Sequence, residues 1–160
     1  METAKSADGT VIAYDRTGDG PPLVVVVGAL CDRHTFVSPA ELTGRFTVYT
    51  YDRRGRGDSG DNDATFAVER EVEDLAAVIG QVGGSASVFG HSSGAVLALE
   101  AAERGVPIDR LAVYEPPYIA DGGRPRPPAG LIDQVKALIA EDRRDDAVTL
   151  FMTESVGVPA

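Results

Sequence analysis

Residues 90–94 read Gly-His-Ser-Ser-Gly and stand where an apolar run, 86–90, gives way to a helix-like pattern from 92 onward. In that setting the G-x-S-x-G spacing has a physical meaning. A strand turning sharply into a helix forces its central residue into strained dihedrals, and only glycine fits the crowded flanking positions. The strain lifts a hydroxyl into the open, above a helix N-terminus that favours developing negative charge. Ser92 is therefore a candidate nucleophile for acyl transfer, and the backbone N–H of Ser93 a candidate donor to the oxyanion. The same spacing also arises in a plain glycine-bounded turn, so the strand and helix around it carry the argument.

A serine nucleophile needs a base, and here the sequence is sparse. It holds two histidines, His34 and His91, and neither follows Ser92. Neighbouring side chains in a tight turn point apart, so His91 is expected to pack around the turn rather than take the serine proton. His34 is expected to line the mouth of a pocket. Cys31, the single cysteine, reads as small buried packing. One cysteine excludes an internal disulfide and a multi-cysteine metal site. No metal and no cofactor are implied.

The elements that must position these residues follow from their patterns. "TVIAYDRTG" (10–18) alternates apolar and polar residues, the mark of an edge-like strand, and runs into the turn cluster "GDGPP". "LVVVV" (23–27) is a continuous β-branched run, as in a strand covered on both faces of a parallel sheet. "FTVYTYD" (46–52) predicts a third strand, which delivers Asp52 to the loop "RRGRGDSGDND". Val72, Leu75, Ala76, Ile79 and Val82 recur at helical spacing after a cap at Asp63 or Thr65, and Gly83-Gly84 stops that helix. A strand at 86–90, a helix over 92–104 and a strand at 109–115 complete an alternation that predicts an α/β fold with a mostly parallel sheet. Pro and Gly then dominate 115–130, a linker. Beyond it Leu131, Val135, Leu138 and Ile139 form one helical face, and Val148, Phe151 and Met152 suggest another. Arg143 and Arg144, set among Asp142, Asp145 and Asp146, read as a solvated face.

Composition sets the outer bounds. Hydrophobic residues make up 43% and charged residues 25% of 160 positions, ordinary values for a globular protein. Fifteen basic against 25 acidic residues leave a net charge of −10, which argues against a nucleic-acid backbone or an anionic membrane as partner. No apolar stretch approaches the roughly 20 residues of a membrane span. "METAKSADGT" lacks the basic and apolar regions of a signal peptide, so a cytoplasmic location is expected.

Taken together, residues 8 to about 120 resemble the α/β-hydrolase family. The resemblance rests on "GHSSG", on "YDRRGRGDSG" (51–60), which looks like that family's D-x-R-G-x-G-x-S loop, and on "VVVVGAL" (24–30), where the family often carries His-Gly after apolar residues. It implies helices on both faces of the sheet, Ser92 as nucleophile, and an oxyanion hole from the backbone of Ala29 and Ser93. It also implies an acid and then a histidine later in the chain, acting on an ester, thioester or related acyl bond of a small-molecule substrate. Glu115 ends a predicted strand at a position where some members carry the acid, although the Pro116-Pro117 after it also marks a structural exit. The Asp52 loop is expected to brace strand ends through a pairing of Asp52 with an arginine. Residues 1–120 would form the core and 121–160 the start of a helical cap. The last strands, with the histidine, are expected from a C-terminal segment beyond residue 160. Without that segment the 109–115 strand would be an exposed edge. Two other readings stay open: a non-catalytic small-molecule-binding protein on this scaffold, and a cofactor-free haloperoxidase-like enzyme.

Overall fold

The computed structural model describes residues 1–36, 40–62, 66–119 and 126–159. Its sheet is built outward from the apolar run. β3 (Pro22–Val26) lies between β4 (Thr47–Tyr51) and β5 (Ala86–His91), parallel to both. Val24, Val25 and Val26 are wholly buried, which for each side chain is worth about 1.5–3 kcal/mol relative to exposure. β6 (Ile108–Tyr114) pairs parallel with β5. On the other side β2 (Val11–Thr17) pairs antiparallel with β4, and β1 (Glu2–Lys5) antiparallel with β2, so the strand order is β1-β2-β4-β3-β5-β6. β2 is thus not the edge its alternation suggests. A four-residue strand with only Ala4 buried, too short and polar to signal itself, covers its outer side.

Two helices cover one face of the sheet. α2 (Val68–Gln81) buries Val72, Leu75, Val78 and Ile79, while Ala76 is only half-buried. It also buries Glu71 and Asp74, whose charges lie inside because arginines wait for them there. Ala67 precedes this helix without a side-chain cap, and the caps expected at Asp63 or Thr65 lie outside the described residues. α3 (Ser93–Glu103) turns small residues, Gly94, Ala95, Ala98 and Ala101, towards the sheet, together with Leu97. Side chains this small let the helix axis approach the strands closely. On the opposite face Leu23, Val25, Val27 and Val48 pack with Phe36, Phe46 and Phe89, beside a short α1 (Ala40–Thr43).

The chain divides into two compact units, Met1–Pro117 and Tyr118–Ala160. In the second, α4 (Leu131–Ala140) and α5 (Arg144–Phe151) are helical, and the chain continues through a wider turn at Met152–Val156. Leu131 and Ala147 are buried, whereas Ile139 and Val148, expected on apolar faces, are exposed. Arg143 and Arg144 form surface pairs with Asp146 and Asp142. No helix among the described residues is long and apolar enough to cross a membrane.

Arg54 ties three parts of the first unit together. Its guanidinium donates to Asp74 of α2, to the Arg70 carbonyl and to Asp8 in the β1–β2 turn. The Thr10 N–H, 2.9 Å from the Asp8 carboxylate, and the nearby Arg54 hold the Asp8 pKa down at about 2 against the effect of burial. A carboxyl depressed on folding stabilises the folded state above its unfolded pKa of about 3.9, and that contribution is lost as pH falls towards the folded value. The urea midpoint is therefore expected to drop between about pH 4 and 2, and Asp8→Asn to flatten that limb. An identical acid limb in Asp8→Asn would contradict the assignment.

Candidate active site

Parallel strands deliver their C-terminal ends to one side of the sheet, where open α/β folds place their ligands. At the end of β5 the chain reverses into α3 through Ser92, at φ 54° and ψ −124°. The Ser92 N–H donates to the Tyr114 carbonyl at 2.9 Å, and the Ser92 carbonyl accepts from Ala95 at 2.9 Å. The flanking glycines are required by space. A Cβ on Gly90 would lie 2.6 Å from the Ala95 Cα, and one on Gly94 only 2.1 Å from the Val26 carbonyl oxygen. Ser92 itself is half-buried, and among the described residues its hydroxyl has no hydrogen-bond partner.

The loop leaving β3 closes against this turn. A Cβ on Gly28 would stand 3.1 Å from the Ser92 Cβ. Four non-glycine residues have left-handed φ among those described, and three of them follow these strands: Leu30 (60°), Ser92 (54°) and Glu115 (48°). Such conformations cost about 1–3 kcal/mol each and persist where surrounding structure imposes them. Strain is thus concentrated where β3, β5 and β6 end. Ala29, half-buried between Gly28 and Leu30, has an N–H without a protein acceptor among the described residues. Ser93 opens α3, so its N–H has no intrahelical acceptor either.

The other candidates are placed as follows. Glu115 directly follows β6, one residue after the carbonyl that holds the Ser92 N–H; it is exposed and unpaired among the described residues. His91 stacks on Tyr114 with ring centroids 5.8 Å apart. It lines an open cavity of about 290 Å³ with Val27, Cys31, Phe36 and Phe89. Cys31 is half-buried there. His34 is 65% exposed, and its Nδ1 is 4.0 Å from the Asp15 carboxylate. It lines a separate polar hollow with Asp15, Thr17 and Arg33 rather than the cavity at His91.

Three arginines, Arg33, Arg53 and Arg56, hold the strand ends in place. Asp52, wholly buried, accepts from the backbone and guanidinium of Arg33 and from the Asp58 N–H, so its arginine comes from the β3 loop and not from its own. Although burial opposes its charge, Asp58, Asp15 and Asp52 together hold the Arg33 guanidinium firmly protonated. Arg56 donates to the carbonyls of Gly28 at 2.7 Å and Cys31 at 3.3 Å, bracing the turn that carries Ala29. Burial, and then the neighbouring Arg53, lower its pKa. Arg53 pairs with Glu71 and reaches Ser93. Sequence reasoning missed this last connection. Its signal was an acid at 71 on the same helical stripe as Leu75 and Val78, a position where a charge must have a partner.

A model of the alpha/beta hydrolase family matches residues 23–159. The chain belongs to that family. It is 35% identical over 127 residues to N-formylmaleamate deformylase of Pseudomonas putida, an alignment covering 76% of this chain and 47% of that protein. It is also similar to the crystal structure of an alpha/beta hydrolase from Sphaerobacter thermophilus, at 58% identity and a TM-score of 0.95. That match takes in 99% of this chain and 62% of the other. The structure of an N-formylmaleamic acid deformylase from Pseudomonas putida superposes with a TM-score of 0.67 at 28% identity, over 88% of this chain and 56% of that one. The chain thus spans about half the length of the deformylase and under two thirds of the Sphaerobacter protein.

Proposed function

We propose that this chain carries the nucleophile and oxyanion hole of a cytoplasmic serine hydrolase that cleaves an ester, thioester or related acyl bond of a small molecule. The observation that carries the reading is Ser92 itself: a hydroxyl without a hydrogen-bond partner among the described residues, on a residue at φ 54°, at the N-terminus of α3. In this mechanism Ser92 Oγ attacks the carbonyl carbon and the bond to the leaving group breaks through a tetrahedral intermediate. The N–H groups of Ala29 and Ser93 hold its oxyanion, aided by the α3 dipole. Water then releases the acyl group. Glu115, the residue that directly follows the strand beside β5 and is strained at φ 48°, is the proposed acid. The proton acceptor is a histidine from a C-terminal segment outside these 160 residues, since His91 is stacked on Tyr114 and His34 lies beside Asp15. The Tyr118–Ala160 unit is the proposed start of a helical cap. Similarity to a deformylase makes a formyl group one acyl group to test.

Fluorophosphonate labelling of the complete polypeptide, followed by peptide mapping, tests this reading. The adduct is expected on Ser92, and Ser93→Ala, which leaves the backbone donor in place, should still label to completion. Adduct on any other residue would remove the assignment. Reversible ligand uptake with no labelling would support a binding protein on the same scaffold.

A further inference from the structure

Ser93 supplies more than its peptide nitrogen. Its hydroxyl accepts a hydrogen bond from Arg53 Nη1 at 3.0 Å, and the same nitrogen lies 3.4 Å from the Val27 carbonyl. Arg53 Nε and Nη2 both turn the other way, to Glu71 Oε2 of α2, with Nε at 2.9 Å. The side chains of Arg53 and Glu71 are 7% and 5% exposed. The geometry points to Arg53 as a positioning residue that sets the gap between the two oxyanion donors, an inference that rests on Ser92 being the nucleophile.

The two donors belong to different elements. Ser93 opens α3, and Ala29 lies two residues after Val27 on the loop from β3. Arg53 is bonded to both segments with one edge of its guanidinium, while Glu71 holds the opposite edge. A planar fork can serve two directions at once; a lysine ammonium on its flexible stem cannot hold both. Buried and paired, the fork has nowhere else to go, because an unpaired charge there is strongly unfavourable. Oxyanion donors work only when they sit about 2.7–3.1 Å from the developing charge, so the spacing of two backbone segments is a catalytic quantity. Arg53 also stands at the first variable position of the D-x-R-G-x-G-x-S loop, whose motif arginine is Arg54. The motif therefore does not account for it.

The test uses the complete polypeptide, with every rate expressed per site titrated by fluorophosphonate. Arg53→Lys is expected to lower kcat on a simple ester about tenfold while KM stays within about twofold. Because Lys cannot reproduce the two-nitrogen pairing with Glu71, Arg53→Met combined with Glu71→Met removes both charges at similar volume and should show the same loss of kcat. In a Ser93→Ala background the Arg53→Lys penalty should shrink to less than about threefold, because one bond carries both effects. The amide resonances of Gly28 and Ser93 should move together in Arg53→Lys. An unchanged kcat per titrated site, with only a lower melting temperature, would reduce Arg53 to a structural brace and overturn the inference. Fully additive penalties with Ser93→Ala would do the same. If the unmodified protein takes no label at Ser92, the functional reading itself falls and this inference with it; labelled protein with an unchanged Arg53→Lys rate removes the inference alone.

Discussion

Ser92→Gly is expected to abolish turnover and at the same time raise the unfolding free energy by about 1 kcal/mol. At φ 54° and ψ −124° a side chain is held where only glycine is at ease, a strain of about 1–3 kcal/mol. Glycine removes the strain but gives back about 0.5–1 kcal/mol through the greater freedom of the unfolded chain. Ser92→Ala separates the two effects: the hydroxyl goes, the strain stays, and stability should shift by no more than about 0.5 kcal/mol. Both variants should lose at least about ten-thousandfold in kcat, the scale seen when a serine nucleophile is removed. Urea denaturation alongside ester hydrolysis in the complete polypeptide checks both halves. If Ser92→Gly is no more stable than Ser92→Ala, the turn stores no strain. Turnover persisting in either variant would take the nucleophile away from Ser92.

Gly94→Ala is expected to cost more than about 4 kcal/mol, a large share of the roughly 5–15 kcal/mol by which a native protein is ordinarily stable. Its new methyl would lie 2.1 Å from the Val26 carbonyl oxygen and 2.6 Å from that of Val27. Both are backbone atoms at the end of the central strand, so no side chain can rotate aside. Either α3 lifts off β3, exposing Ala95, Leu97 and Ala98, or the strand bends away from its two neighbours. Gly80 in α2 is the control. Nothing lies within 4 Å of a Cβ there, and Gly80→Ala should stabilise by a few tenths to about 1 kcal/mol through helix propensity. Chemical denaturation of both variants decides the point. A Gly94→Ala protein within about 1 kcal/mol of the parent would mean that α3 does not sit against β3 as described.

Much of the fold was legible because its signals are local. The β-branched run at 23–27 could be satisfied only by a strand buried on both faces, and β3 is such a strand. Gly90 and Gly94 announced a turn too tight for side chains, and the distances to Ala95 and Val26 show why. The apolar stripe of α2 was visible as well, but Glu71 and Asp74 on its buried side were not interpretable from spacing alone. β1 escaped notice because four mostly polar residues make a strand only when β2 is there to pair with them. Likewise the Asp52 pairing could be anticipated in kind, while its partner, Arg33, lies 19 residues back on another loop.

The sequence by itself determined the alternation of strands and helices, the tight turn that raises Ser92, and the glycines that make room for it. Each depends on residues within a few positions of one another, where sterics and hydrophobic period act directly. Only the tertiary structure decided which charges meet. Arg53 finds Glu71 18 residues ahead and Ser93 40 residues ahead, and Arg54 reaches Asp8 46 residues back. It also decided that His91 stacks on Tyr114 and that His34 sits beside Asp15. The reason is that a buried ion needs a partner, but the chain supplies several of each sign. Which one arrives is set by strand order and register, and these are properties of the assembled sheet rather than of any stretch of sequence.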